Sequence, residues 1–166
     1  AWTVTGTTVS ATGNTLDSSF FGKGDRISCT ITADDGTDTD SGTSGTVTIE
    51  NTAPVMGTVT LTPTTASEGD TLTCAGTGTD VDGDTLTYTY AWTVTGTTVS
   101  ATGNTLDSSF FGKGDTVSCT ITVDDGTDTD SASSGNTTIE NTAPVMGTVT
   151  LTPTTAYEGD TLTCAG

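Results

Sequence analysis

There is no histidine in this sequence, and three lysine or arginine residues stand against 21 acidic ones. Without an imidazole there is no Ser-His or Cys-His pair, so the usual nucleophilic triads are excluded. A formal net charge of −18 sets the chain against nucleic acid and anionic membrane surfaces, which would repel it, and makes cations its natural partners. Long apolar side chains are sparse, and no apolar run is long enough to span a bilayer. What is abundant is threonine, 47 of 166 residues, with 21 glycines. Threonine is β-branched, suits strands and is mediocre in helices. The composition alone would also fit disorder, but the apolar residues recur with a strict period of two.

The chain repeats itself. Ala1–Asp115 opens and closes on the same 25 residues, AWTVTGTTVSATGNTLDSSFFGKGD, at a period of 90. Residues 1–76 and 91–166 differ at eight positions: 26, 27, 33, 42, 43, 46, 47 and 67 in the first copy. Fixed-period self-similarity is the mark of a repeat array, and this period is the size of one small sandwich domain. The expected division is a C-terminal half-repeat at 1–51, a complete repeat at 52–141 and an N-terminal half-repeat at 142–166. Such a pattern fits a window cut from an array, or a unit whose halves are completed by neighbouring copies. Either gives a head-to-tail filament.

Within the complete repeat, Val59 and Leu61 mark a first strand. Leu72 and Cys74 mark a second. Leu86, Tyr88, Tyr90, Trp92 and Val94 alternate with threonine and alanine in a third. Val117, Cys119, Ile121 and Val123 alternate with Thr116, Ser118, Thr120 and Thr122 in a fourth. Period-two alternation of this length predicts strands buried on one face. TTVS and NTLD read as short strands, TTASEGD as a turn, SSFFGKGD as a turn with Phe110 or Phe111 plugging the core, DDGTDTDSASSG as a loop, and NTTIE as the last strand. Several short strands punctuated by Gly and Asp predict an all-β sandwich.

Cys74, Trp92 and Cys119 fall on successive strands at inward positions, and KGDTVSC approaches the second cysteine. This order resembles the immunoglobulin pattern. The fold it implies is a tandem series of immunoglobulin-like, Greek-key β-sandwiches, with an inter-sheet Cys74–Cys119 bridge packed on the tryptophan. The alternative is a pair of free buried thiols. Cys29 and Cys164 are expected to pair with partners in adjacent repeats or copies.

The aspartates are clustered. DVDGD carries Asp80, Asp82 and Asp84, and DDGTDTD carries Asp124, Asp125, Asp128 and Asp130. Glu50 and Asn51 enter the first strand through ENTAPV. In an immunoglobulin-like sandwich these segments share one pole, and crowded carboxylates there call for a hard divalent cation with many oxygen ligands. The spacing is not an EF-hand loop, because no Glu stands at its twelfth position. DVDGDTLTYTY, VDDGTD and IENTAPV resemble cadherin-type and PKD-type repeats, and the whole repeat looks like the tandem modules of large prokaryotic surface proteins. The resemblance implies interdomain Ca²⁺ held by Asp80, Asp82, Asp125 and the linker residues Glu50 and Asn51, and the clustering of the two loops adds Asp84 and Asp124 as candidate ligands.

Asn136 begins the NTT acceptor pattern for N-linked glycan, and the outward threonines Thr87, Thr89, Thr120 and Thr122 suit O-linked glycan on an extracellular stalk. The carboxylates would nominally suit a glycosidase, but they recur in short loops with no cleft-forming insertion, so no enzyme is expected. The sequence therefore predicts a structural, extracellular protein of a microbial surface stalk or filament, whose partners are other copies or repeats of itself. The rival reading is an adhesin module binding a protein or glycan. That rival needs an exposed aromatic patch, for which Tyr157 is the main candidate.

Overall fold

The computed structural model describes residues 1–166 and is built of strands, with one short 3-10 turn at Ser18–Phe20. Residues 1–51 contribute β1 (Trp2–Val4), β2 (Thr7–Val9), β3 (Arg26–Asp34), β4 (Thr39–Thr43) and β5 (Val47–Thr48), joined in one antiparallel sheet. The central segment contributes β6 (Val55–Met56), β7 (Thr60–Thr62), β8 (Ala66–Ser67), β9 (Leu72–Ala75), β10 (Gly78–Thr79), β11 (Thr87–Val94), β12 (Thr97–Val99), β13 (Thr105–Leu106), β14 (Thr116–Asp124), β15 (Thr129–Ser133) and β16 (Thr137–Glu140). A last hairpin consists of β17 (Thr150–Thr152) and β18 (Thr163–Ala165).

Two sheets face each other in the central segment. One runs β12-β11-β14-β16-β8, with β15 also paired to β14. The other runs β13-β9-β7. All pairings are antiparallel except that of β8 with β16. Between the sheets lies a core of 15 buried residues, centred on Trp92, Leu72, Leu106 and Ile121. The alternation in β14 is realised fully: Val117, Cys119, Ile121 and Val123 are all buried, and the residues between them are half-exposed. A disulfide joins Cys74 of β9 to Cys119 of β14 and so ties one sheet to the other. Trp92 sits directly across the β11–β14 ladder from Cys119, and its indole N–H donates to Gly103 O at 2.8 Å. Phe111 is buried, and Phe110 packs against the core from its edge.

The structure departs from the sequence reading at three places. TTASEGD is not simply a turn, because Ala66–Ser67 form the parallel edge strand β8, with Ala66 fully buried. The segment read as a loop after β14 turns back at once: Asp125 Oδ1 accepts from Thr127 N and Asp128 N, and 129–133 run antiparallel to β14 as β15. Tyr88, expected to face inward, is 36 % exposed. Its hydroxyl accepts from Gly78 N instead.

The β11–β12 connection is a two-residue turn in which Thr95 and Gly96 both have positive φ, 47° and 78°. Primed turns of this kind match the twist of a hairpin, but a β-branched residue in the left-handed region is strained. Asp115 offsets the strain by accepting from Thr95 Oγ1 at 2.6 Å and from Gly112 N at 2.8 Å. The same clamp recurs between Thr5 and Asp25. The Thr95 hydroxyl bond, then the Gly112 amide, hold the Asp115 pKa below its ordinary value.

Two predictions follow from these contacts. Replacing Cys74 and Cys119 by alanine should lower unfolding stability by about 4 kcal/mol, from loop-closure entropy across the 45-residue separation, read as the free energy of urea unfolding. Asp115→Ala should lower the melting temperature. Because the native pKa of Asp115 is depressed, its contribution is present above the ordinary aspartate value of about 4 and lost as pH falls through the native value. The wild-type and variant melting curves should therefore converge in acid.

Candidate metal centre at the junction of two repeats

The loop between β10 and β11 makes a tight bend at Gly83, where φ is +78°. Asp80 Oδ1 accepts from Asp84 N at 3.0 Å and closes the bend on itself. The result is that Asp80, Asp82 and Asp84 each present a carboxylate oxygen, all within 4.8 Å of one another. At such separations each like-charge pair is unfavourable by on the order of 1 kcal/mol even in bulk water.

The β14–β15 turn lies beside this loop, and the chain entering the central segment is laced between the two. Asn51 Nδ2 donates to Asp125 Oδ2 at 3.0 Å and to Asp128 Oδ2 at 2.8 Å. Thr52 N donates to Asp82 Oδ2 at 2.7 Å, and Met56 N donates to Asp130 Oδ2 at 2.8 Å. Hydrogen bonds to the Asp128 amide and the Asn51 side chain, with the Thr127 amide and the nearby charge of Lys23, depress the pKa of Asp125 despite its burial. The Met56 amide, then the Ser131 amide, do the same for Asp130.

The preceding repeat reaches into the site through Lys23, whose Nζ lies 2.7 Å from Asp84 Oδ2. That bond, with the charges of Asp84, Asp125 and Asp82, raises the lysine pKa. One ammonium therefore faces a group of carboxylates drawn from two loops.

Two oxygens at this junction are buried and have no hydrogen-bond partner: Asn51 Oδ1 and Asp80 Oδ2. Rotating the Asn51 amide would not help, since its nitrogen already serves two carboxylates and the swap would set oxygen against oxygen. Buried acceptors without donors, beside three converging carboxylates, fit a hard oxygen-seeking cation. Asp80, Asp82, Asp84 and Asn51 are the residues that could hold one.

The other candidates are placed differently. Glu50 is exposed and its side chain makes no hydrogen bond. Asp124 turns into its own loop, accepting from Gly126 N at 2.6 Å. Asp125 serves chiefly to pin Asn51 and the turn. Lys23 and Asp128 were not among the expected residues. Asp128 carried a signal, as part of DDGTDTD, but Lys23 is separated from the loop it contacts by 61 residues. Of the candidate glycan acceptors, Asn136, Thr87 and Thr89 are exposed, whereas Thr120 and Thr122 are half-buried between β11 and β15. Thr120 also shares a 2.7 Å hydrogen bond with Ser133.

Lys23→Met should lower the melting temperature of the chelator-treated protein, because the acidic junction loses its positive charge. The deficit should shrink as salt is added and the remaining carboxylates are screened.

No family model matches the chain, and neither does any curated protein or solved structure.

Proposed function

We propose that this chain is a structural, extracellular element of a stalk or filament at a microbial surface. Its units are tandem immunoglobulin-like sandwiches of about 90 residues whose junctions are stiffened by Ca²⁺. The observation that carries the reading is the lacing of residues 51–56 between two acidic loops, with Lys23 of the preceding repeat docked on Asp84. A surface that only displayed a binding loop would have no need to fix the direction of the repeat before it. The strand order β12-β11-β14-β16-β8 against β13-β9-β7, with its β9–β14 disulfide and adjoining tryptophan, supports the immunoglobulin-like assignment.

The disulfide suits an oxidising compartment, and no helix is long and apolar enough to cross a membrane. The exposed, threonine-rich strand faces and Asn136 suit glycan attachment, which would shield a stalk. An adhesin role gains less support, because Tyr157 stands alone as a strongly exposed aromatic.

The test is thermal unfolding with Ca²⁺ and with chelator. Calcium should raise the melting temperature, and Asp82→Asn should remove most of that rise while leaving the chelator curve near wild type. An unchanged melting temperature across calcium and chelator would overturn the metal.

A further inference from the structure

The acidic junction already receives a positive charge from the protein itself. Lys23 Nζ lies 2.7 Å from Asp84 Oδ2, across a separation of 61 residues, and this is the one ion pair of the structure. The lysine is presented from a fixed point. Gly22 N donates to Asp25 Oδ2 at 2.9 Å, and Gly24 N donates to Ile49 O at 2.8 Å. Both neighbours of Lys23 are thereby held in the preceding repeat, while the side chain between them has a long, flexible stem. The base of the contact is anchored and its tip can let go.

The ammonium serves only the rim of the acidic group. The Lys23 and Asp84 side chains are 33 % and 29 % exposed, so water competes for their bond. Asp82 Oδ2 accepts from Thr52 N, and Asp80 Oδ1 accepts from Asp84 N. Asp80 Oδ2 and Asn51 Oδ1 are buried, and no donor reaches them, Lys23 included. Three carboxylates with oxygens within 4.8 Å of one another therefore have one ammonium, bonded to one of them. A hard divalent ion gathers about six to eight oxygens, and it would draw on the acceptors that the lysine leaves unmet. A lysine ammonium beside such an ion is repelled by it, by on the order of tenfold in affinity even in water.

We propose that Lys23 and the junction cation are alternative occupants of Asp84. Ion binding releases the ammonium into solvent, and the ammonium returns to Asp84 when the ion leaves. Lys23 is then a tethered competitor. It weakens the site, so that the junction loads only at higher ion concentration, and it keeps one repeat linked to the next while the site is unloaded.

This inference rests on the junction metal of the proposed function, and its test separates the two. Ca²⁺ is titrated calorimetrically, at low ionic strength, into the full chain and into Lys23→Met, Lys23→Arg and Asp82→Asn. Lys23→Met should bind on the order of tenfold more tightly than wild type. Lys23→Arg keeps the charge and should bind as weakly as wild type, and Asp82→Asn should bind little or none. In wild type, release of the lysine is read by labelling with an amine-reactive ester and peptide mass analysis. Lys113, the one other lysine, normalises the reagent. Ca²⁺ should raise the Lys23 labelling rate several-fold over its rate in chelator, and Asp82→Asn should abolish that rise. Equal affinities for wild type and Lys23→Met, with binding still lost in Asp82→Asn, would overturn the competition and leave the junction metal standing. Tighter binding by Lys23→Arg as well would show that the charge is not the cause and would overturn it too. So would tighter binding by Lys23→Met with no change in Lys23 labelling, since lysine and ion would then sit together. No binding by wild type or Lys23→Met would sink the metal and the competition alike.

Discussion

The bond from Cys74 to Cys119 crosses between two sheets whose shared interior holds 15 buried residues, only one of them a tryptophan. Around that link a chain with so much threonine can build a defined core. Threonine contributes strand preference and exterior hydrogen bonding but little apolar volume, so the interior depends on a few residues being held at fixed depth. β9 and β14 lie in different sheets, and tying them sets the spacing that Trp92, Leu72, Leu106 and Ile121 then fill. β11 is aligned by its ladder to β14, and β13 by its ladder to β9. The rest of the sandwich is therefore positioned relative to this pair.

The contrast between the central and N-terminal repeats shows what the facing sheet contributes. The sequences of β1–β3 and their central counterparts are nearly the same, and the local devices are identical. The Thr5 clamp matches the Thr95 clamp, and Trp2 donates to Gly13 as Trp92 does to Gly103. Yet Trp2 is only half-buried and residues 15–16 do not form the strand that 105–106 form. Local sequence sets the turns and the single-sheet ladders. Burial, and the strands that exist only as partners across the core, need β7 and β9.

That division also explains what could be read in advance. β14 was legible because four apolar residues alternate with hydroxyl residues without a break. β15 was not, since TDSAS has a single apolar residue and owes its strand state to the Asp125 turn. β8 was hidden because two residues, paired in parallel to a distant strand, leave no period to detect. At the junction, Asp80, Asp82 and Asp84 were legible from their alternate spacing, which a tight loop gathers by itself. Lys23 and the two-sided grip of Asn51 depend on how one repeat seats on the next, and no local pattern encodes that. Tyr88 kept its place in the alternation but is 36 % exposed, with its hydroxyl taken up by Gly78 N.

The segment from Asn51 to Met56 is pinned through one side chain and two backbone amides, to carboxylates of the β10–β11 loop, the β14–β15 turn and β15. Thr52 and Met56 are held within the central repeat itself, so rotation about the long axis is limited by Asn51 together with the Lys23–Asp84 bond from the repeat before it. A tether held at one point would let neighbours spin, and their azimuths would be uncorrelated after a few units. In the proposed array each unit would inherit a set angular step from the one before it. In a run of such units identical steps would accumulate, giving the proposed stalk the geometry of a screw with a definite pitch, in which twisting one end turns the other.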